Sequence, residues 1–375
     1  MSTVLLKNAV LMAPQDDLWE LRADVLIENG KIAAIEPELD AAGAKVIDLA
    51  GQYLAPGFID AHVHSDHAPN YITADMCGVN RGNTAVIDAG TVGPLRMDEY
   101  YQRSTLNSVT RQYVLLNAVS PDSTKPPVLE RVKYEYYRDA YEKYSDTIKG
   151  LKVTASYSHV GLIGVPLVIN AKEICNRLGL PLTVHIGNAP PDPVDFLPYL
   201  DRGDVITHSF HNKDACIFYP DGTPKPEAAM ARKRGVLFDV GHGRASFSWS
   251  MAQAAFNAGF LPDLMGTDLY KPNMNGPVYS LSAVLSKMLT LGRPLRECID
   301  IVTRRTSEVY GLEEHRLCVG AQADLTAFRL VDGKWDLADS VGEVRTVTTL
   351  IRPTMAINVS KGALNITETT LGLLD

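Results

Sequence analysis

The sequence predicts an α/β fold, a (β/α)8 TIM barrel carrying a small discontinuous β-sandwich built from both termini, and three observations support it. Eight short apolar runs alternate with amphipathic stretches through the middle of the chain. The segments before Pro56-Gly57 and after about Leu317 read instead as strands. Six polar residues, each a histidine, lysine or aspartate, interrupt or close the apolar runs.

The N-terminal segment alternates over 4–12, 23–28, 31–36 and 45–48, with Asn29-Gly30 as a hairpin turn because both residues tolerate positive φ. After Pro56-Gly57 the rhythm becomes strand, loop, helix. Strands are expected at 58–64, 84–89, 112–119, 148–153, 182–186, 205–208, 236–240 and 264–268, and helices at 129–144, 165–178, 248–258 and 278–291. Strands covered on both faces read as continuous apolar runs, as these do. Strand character returns over 324–330 and 346–359. Residues 57–311 are therefore expected to form the barrel, and residues 1–56 with 312–375 the sandwich.

A chain of 375 residues, 46% hydrophobic and 21% charged, can bury a large core. The net charge is −8 and no basic block occurs, which argues against nucleic acid or an anionic membrane as partner and for a small-molecule ligand. Cys77, Cys175, Cys216, Cys298 and Cys318 are odd in number and contain no CxxC pair, as in a reducing compartment. The first residues lack a basic leader, and no run approaches the roughly 20 apolar residues of a membrane helix. A cytoplasmic location follows as the expectation; association into a homo-oligomer stays open.

Within GFIDAHVHSD, His62 and His64 stand two apart. On a strand both point to one side and can converge on one ion, whereas on a helix they diverge by about 200°. Two hydrogen-bonded histidines at a strand end are the plainer alternative. The other strand ends add Lys152 in KGLKVTAS, His185 in LTVHIG, His208 in VITHSF and Asp268 in MGTDLY. Singly, each has an ordinary reading: a satisfied core histidine, a paired lysine, an N-cap aspartate. Together they sit where barrel enzymes carry their chemistry.

These motifs resemble the amidohydrolase superfamily, in its binuclear form, over essentially the whole chain. The resemblance implies two divalent metal ions, usually zinc (Zn2+). His62, His64 and Asp268 would hold the more buried ion and His185 and His208 the other. Lys152, carboxylated by CO2 to N6-carboxylysine, would bridge them as a carbamate. A water acidified by the metals would attack, and Asp268 would act as catalytic general base and then acid in hydrolysis of an ester, amide or ring amide.

Cys77-Gly78 with Arg81-Gly82, GLKVTAS, DVGHGRASFS and TDLYKPNMNGPVYSLSAVLSKML are similar to the deacetylase-type branch, which acts on acylated hydroxy or amino acids. The chain departs from that branch at Thr154, where arginine is usual, and at Arg244, which replaces a small residue. Gly241 to Ser246 nearly spells GxGxxG, but its last position is Ser246 and it follows the seventh strand rather than the first, so dinucleotide binding is disfavoured. Arg244 is instead a candidate to hold a substrate carboxylate, and Asn275 a candidate substrate contact. His67, His159, His211, His242 and His315 are not assigned to the site; His67 and His159 are expected to face solvent and His315 to lie on the surface. A cyclic amidohydrolase of the dihydroorotase or hydantoinase type and a non-enzymatic scaffold are the alternatives.

Overall fold

The structure is a computed structural model and describes residues 3–69, 71–122, 127–313, 315–370, 372 and 374. The N-terminal segment forms β1 (Thr3–Ala13), β2 (Leu18–Glu28), β3 (Lys31–Glu36), β4 (Lys45–Asp48) and β5 (Tyr53–Pro56). Then come β6 (Phe58–Val63), β7 (Asn83–Ala89), β8 (Arg111–Asn117), β9 (Ile148–Ala155), β10 (Leu182–Ile186), β11 (Val205–Thr207) and β12 (Leu237–Phe238). The chain closes with β13 (Leu325–Ala338), β14 (Val344–Ser360) and β15 (Ala363–Glu368).

β6 to β12 lie side by side in sequence order, every pair parallel. β6 and β7 are buried throughout, which is why their sequences read as unbroken apolar runs. The segment expected as the eighth strand reaches both edges of this sheet, through parallel bridges Asp239–Leu264 and Val63–Leu269. It makes no continuous ladder, because side-chain carboxylates take part of its backbone: Gly266 N donates to Asp239 Oδ1 and Thr267 N to Asp60 Oδ1. Helices Tyr134–Tyr144, Gly164–Leu178, Trp249–Asn257 and Leu281–Thr290 fall where amphipathic periodicity placed them. The helix Pro226–Arg234 was not expected from PEAAMARKR, which buries only Ala228 and Ala231 and so has no apolar stripe to read.

Strands from both ends join in one eight-stranded mixed sheet ordered β15-β14-β13-β5-β1-β2-β3, with β4 also paired to β1. Short β5 is the seam, parallel to β1 on one edge and antiparallel to β13 on the other. His315 was expected on the surface and is buried. Its Nδ1 donates to Gly57 O at 2.9 Å and Arg111 Nη1 donates to its Nε2 at 3.3 Å, while Arg111 pairs with Asp324 at 2.8 Å. Local sequence gives no sign of partners that lie more than two hundred residues away.

Candidate metal centre

The parallel sheet brings His62, His64, Lys152, His185, His208 and Asp268 to one end. His62, His64 and Asp268 each offer a ligand atom within 4.8 Å of the others. Asp268 Oδ1 lies 3.3 Å from His64 Nε2 and 3.6 Å from His62 Nε2. Lys152 Nζ reaches His62 Nε2 at 3.1 Å. The His62 ring centroid is 5.1 Å from that of His208, which is 4.2 Å from that of His185.

The histidine tautomers follow from what holds each Nδ1. His208 Nδ1 is 2.5 Å from Gly241 O; a carbonyl only accepts, so Nδ1 carries the proton and Nε2 a lone pair. The Thr207 hydroxyl donates to Asp239 Oδ2 at 2.6 Å and therefore accepts from His62 Nδ1 at 2.9 Å. His62 Nε2 is thus also a lone-pair donor. His64 Nδ1 lies 3.0 Å from Thr91 Oγ1. Oxygen partners on the outer nitrogens are the arrangement that orients metal-ligating imidazoles.

Burial keeps the His62, His185 and His208 rings neutral, the form that ligates metal. It lowers the His62 pKa to about 4 and that of His208 to about 3, and holds His185 well below the ordinary imidazole range. At Asp268 burial acts upward, but the His64 hydrogen bond and the imidazoles around it outweigh that and hold the carboxyl below its usual range. Burial lowers Lys152 to about 8. An amine titrating there has a neutral fraction near pH 7, and only a neutral amine adds CO2. Two neutral lone pairs, an ionised carboxylate and such a lysine are a donor set that fits divalent cations.

The backbone is strained at the same place. His208 and Asp268 are the centre's two residues with positive φ, at 67° and 53°. Such conformations persist only where surroundings fix them, and they gather at functional sites. Asp268 N donates to His62 O at 2.7 Å, and Asn273 Nδ2 donates to Asp268 O at 2.8 Å.

A cavity of about 610 Å3 opens over the cluster, lined by His64, Lys152, His185 and Asp268 on its floor and by Tyr71, Thr91, Asn117, Thr154, His159, Tyr270, Lys271 and Pro272 on its walls. His159, expected to face solvent from its loop in preference to lining the pocket, is exposed and also lines this cavity. Arg244 is exposed, and its charge acts on wall residue Tyr270. Asn275 is exposed and is not among the lining residues; Asn273, two positions earlier, is the one bonded to Asp268. His211 and His242 are buried, while His67 Nε2 meets Ser108 Oγ at 3.4 Å. Sequence reasoning missed Thr207 and Asp239. Asp239 interrupts the seventh apolar run just as the other polar residues interrupt or close theirs, and that was the signal available.

A family model described as a deacetylase-like composite domain matches residues 317–358. A deacetylase of Agrobacterium fabrum is 35% identical over 345 residues, 89% of this chain and 85% of the relative. A deacetylase of Enterococcus faecalis is 33% identical over 89% of this chain and 93% of its own. Among solved structures, one described as a dihydroorotase superposes with TM-score 0.90 at 31% identity over 99% of each chain. Another, described as an adenine deaminase, gives TM-score 0.90 at 31% identity, covering 98% of this chain and all of the other. Fold, ligand cluster and relatives define a metal-dependent hydrolase of the amidohydrolase superfamily. Within it, the chain belongs to the deacetylase family.

Proposed function

We propose that the protein hydrolyses an ester or amide bond of a small acylated carboxylic acid, such as an O-acetyl hydroxy acid or an N-acyl amino acid. One observation carries the reading: histidine lone pairs, Lys152 and the ionised Asp268 converge on the floor of a cavity whose wall includes Lys271 and Tyr270, the latter within reach of the Arg244 charge. His62, His64 and Asp268 would hold one divalent ion, and His185 and His208 a second. Lys152, carboxylated on its amine, would bridge them as an oxygen ligand. Zinc suits these nitrogen and oxygen donors.

Divalent ions held by these residues would supply Lewis acidity and acidify water toward the neutral range. Asp268 takes the proton of the attacking water and passes it to the departing oxygen or nitrogen, as base and then acid. Arg244 would hold the substrate carboxylate; Asn275, outside the cavity lining, is not given a role. The sheet bridged at both edges by residues 264–269 supports a closed (β/α)8 barrel over residues 57–311. Residues 1–56 and 312–375 would form the β-sandwich, whose apolar cluster includes Leu6, Leu11, Val25, Leu54, Leu325 and Ile357. Among the described residues no helix is long and apolar enough to cross a membrane. A cytoplasmic enzyme with a small-molecule substrate fits the composition.

A second reading, hydrolysis of ring amides, is favoured by the superposition on a structure described as a dihydroorotase. Supplying zinc and bicarbonate and screening stereochemically paired N-acyl amino acids, O-acyl hydroxy acids and cyclic imides separates the two. Turnover of acyl acids, lost on chelation and restored by zinc, is expected; turnover of ring substrates alone would replace this reading with the second. Less than about one equivalent of zinc per chain, with no hydrolysis, would point to a scaffold.

A further inference from the structure

Lys287 is buried in the helix Leu281–Thr290 and takes no part in the chemistry above. Burying an ammonium is costly unless its donors are satisfied, and here all three are. Nζ donates to His242 Nε2 at 2.7 Å, to Ala338 O at 2.7 Å and to Pro277 O at 3.0 Å. An apolar side chain would fill the space at lower cost, so what the amine adds is direction. It ties three separate segments to one atom.

Two of those segments flank the cavity. Pro277 ends the stretch that carries Asp268, Tyr270, Lys271 and Pro272. With its Nε2 accepting from Lys287, His242 donates from Nδ1 to Gly243 O at 2.9 Å. Gly243 has φ +53°, and a Cβ there would stand 2.5 Å from Asp268 Oδ2, so this backbone is pressed against the carboxylate. Arg244 follows directly. The third segment leads out of the terminal sheet: Ser340 Oγ donates to Gly243 O at 2.9 Å and Ser340 N to Phe247 O at 3.0 Å, while Asp339 Oδ2 accepts from Trp249 N at 2.9 Å.

We propose that Lys287 is a positioning residue for substrate recognition: acting through His242, and with Ser340 from the turn between β13 and β14, it fixes the 241–246 loop so that Arg244 meets the substrate carboxylate. The inference rests on the hydrolase reading above and deepens it by assigning anion selectivity to a contact from outside the parallel sheet. The Asp268 backbone is anchored separately, its N donating to His62 O and its O accepting from Asn273 Nδ2, and its carboxylate lies against His64 Nε2, so loosening the clamp is expected to act on binding more than on proton transfer.

The test compares zinc-loaded wild type with Lys287→Met and Ser340→Ala, using O-acetyl-lactate and its uncharged carboxamide and following acetate release. For the free acid, KM is expected to rise about tenfold, the scale of a weakened charge-assisted contact, with kcat within about threefold. KM for the carboxamide and the zinc content are expected to stay at wild-type values. Trypsin cleavage after Arg244, followed by mass spectrometry, is expected to be faster in both variants. An unchanged ratio of the two KM values, or an equal loss of kcat on both substrates, would overturn the proposal. If Lys287→Met does not fold, Ser340→Ala decides by the same criteria. Should wild type release no acetate from any acyl acid, the hydrolase reading falls, and cleavage after Arg244 then judges the clamp, equal rates overturning it.

Discussion

In the proposed mechanism the chemistry turns on Lys152, because a buried amine opposite His62 Nε2 would be useful beside cations only as an anion. Lys152→Ala is therefore expected to lose more than about a thousandfold in kcat/KM, the range of removing a catalytic group, and to bind less than the full zinc complement. Full activity in that variant would remove the carbamate. Thr207 matters differently. It fixes the His62 tautomer by accepting from Nδ1 while donating to Asp239, so Thr207→Val keeps the shape and deletes the relay. Zinc affinity, measured by chelator competition, is expected to fall about 10- to 100-fold, as for other partners behind metal ligands. An unchanged affinity would mean that packing alone sets the ring.

Among the elements, the segment 264–269 carries most of the consequence. It is narrow enough to bond both sheet edges, and Gly266 is the reason: a Cβ there would lie 2.4 Å from that of His62 and 2.9 Å from Asp239 Oδ2. Gly266→Ala should push His62 from its place. Loss of zinc together with a lower Tm is expected, and wild-type values of both would show that the segment yields. That the runs before it are strands was legible, because burial on both faces leaves an apolar signature that needs no knowledge of neighbours. This last segment kept its position but not its ladder, since carboxylates of Asp60 and Asp239 take its amides. The helix Pro226–Arg234 was illegible for the opposite reason, that it has almost no buried face.

For the whole molecule, buried neutral histidines set the acid limit. His62, His185, His208, His211, His242 and His315 all lie below their ordinary 6.5 because burial penalises their charge, with His211 at about 3. Below pH 6.5 the unfolded chain takes up protons that the folded chain refuses. Stability is thus fully present above that pH and drains away as pH falls toward the folded values, by about 1.4 kcal/mol per pH unit for each such group. Tm of the metal-free protein is expected to drop steeply from pH 6.5 to 4, with net proton uptake on unfolding; a flat profile would mean that these rings titrate while folded.

At this scale the sequence spoke through strand ends. His62, His64, Lys152, His185, His208 and Asp268 stood out because charge is rare there, and the structure brings them together. Their supports did not stand out, since a threonine inside a strand or a lysine inside a helix is ordinary until its partner is known. Lys287 reaches Ala338 O and Ser340 reaches Gly243 O only through the tertiary fold, as Arg111 reaches His315.

The seam at β5 also bears on how the chain is made. A ribosome delivers β1 to β5 early, yet the strand that covers the outer edge of β5 is β13, beginning at Leu325. Across the intervening residues 57–324, synthesis takes on the order of ten seconds to a minute. For that interval the nascent sheet carries an open apolar edge, the kind that recruits other strands. Chaperone cover during translation, rather than stability afterwards, is then expected to limit the yield of this protein, and expression slowed within residues 57–324 should aggregate more than expression slowed after β15.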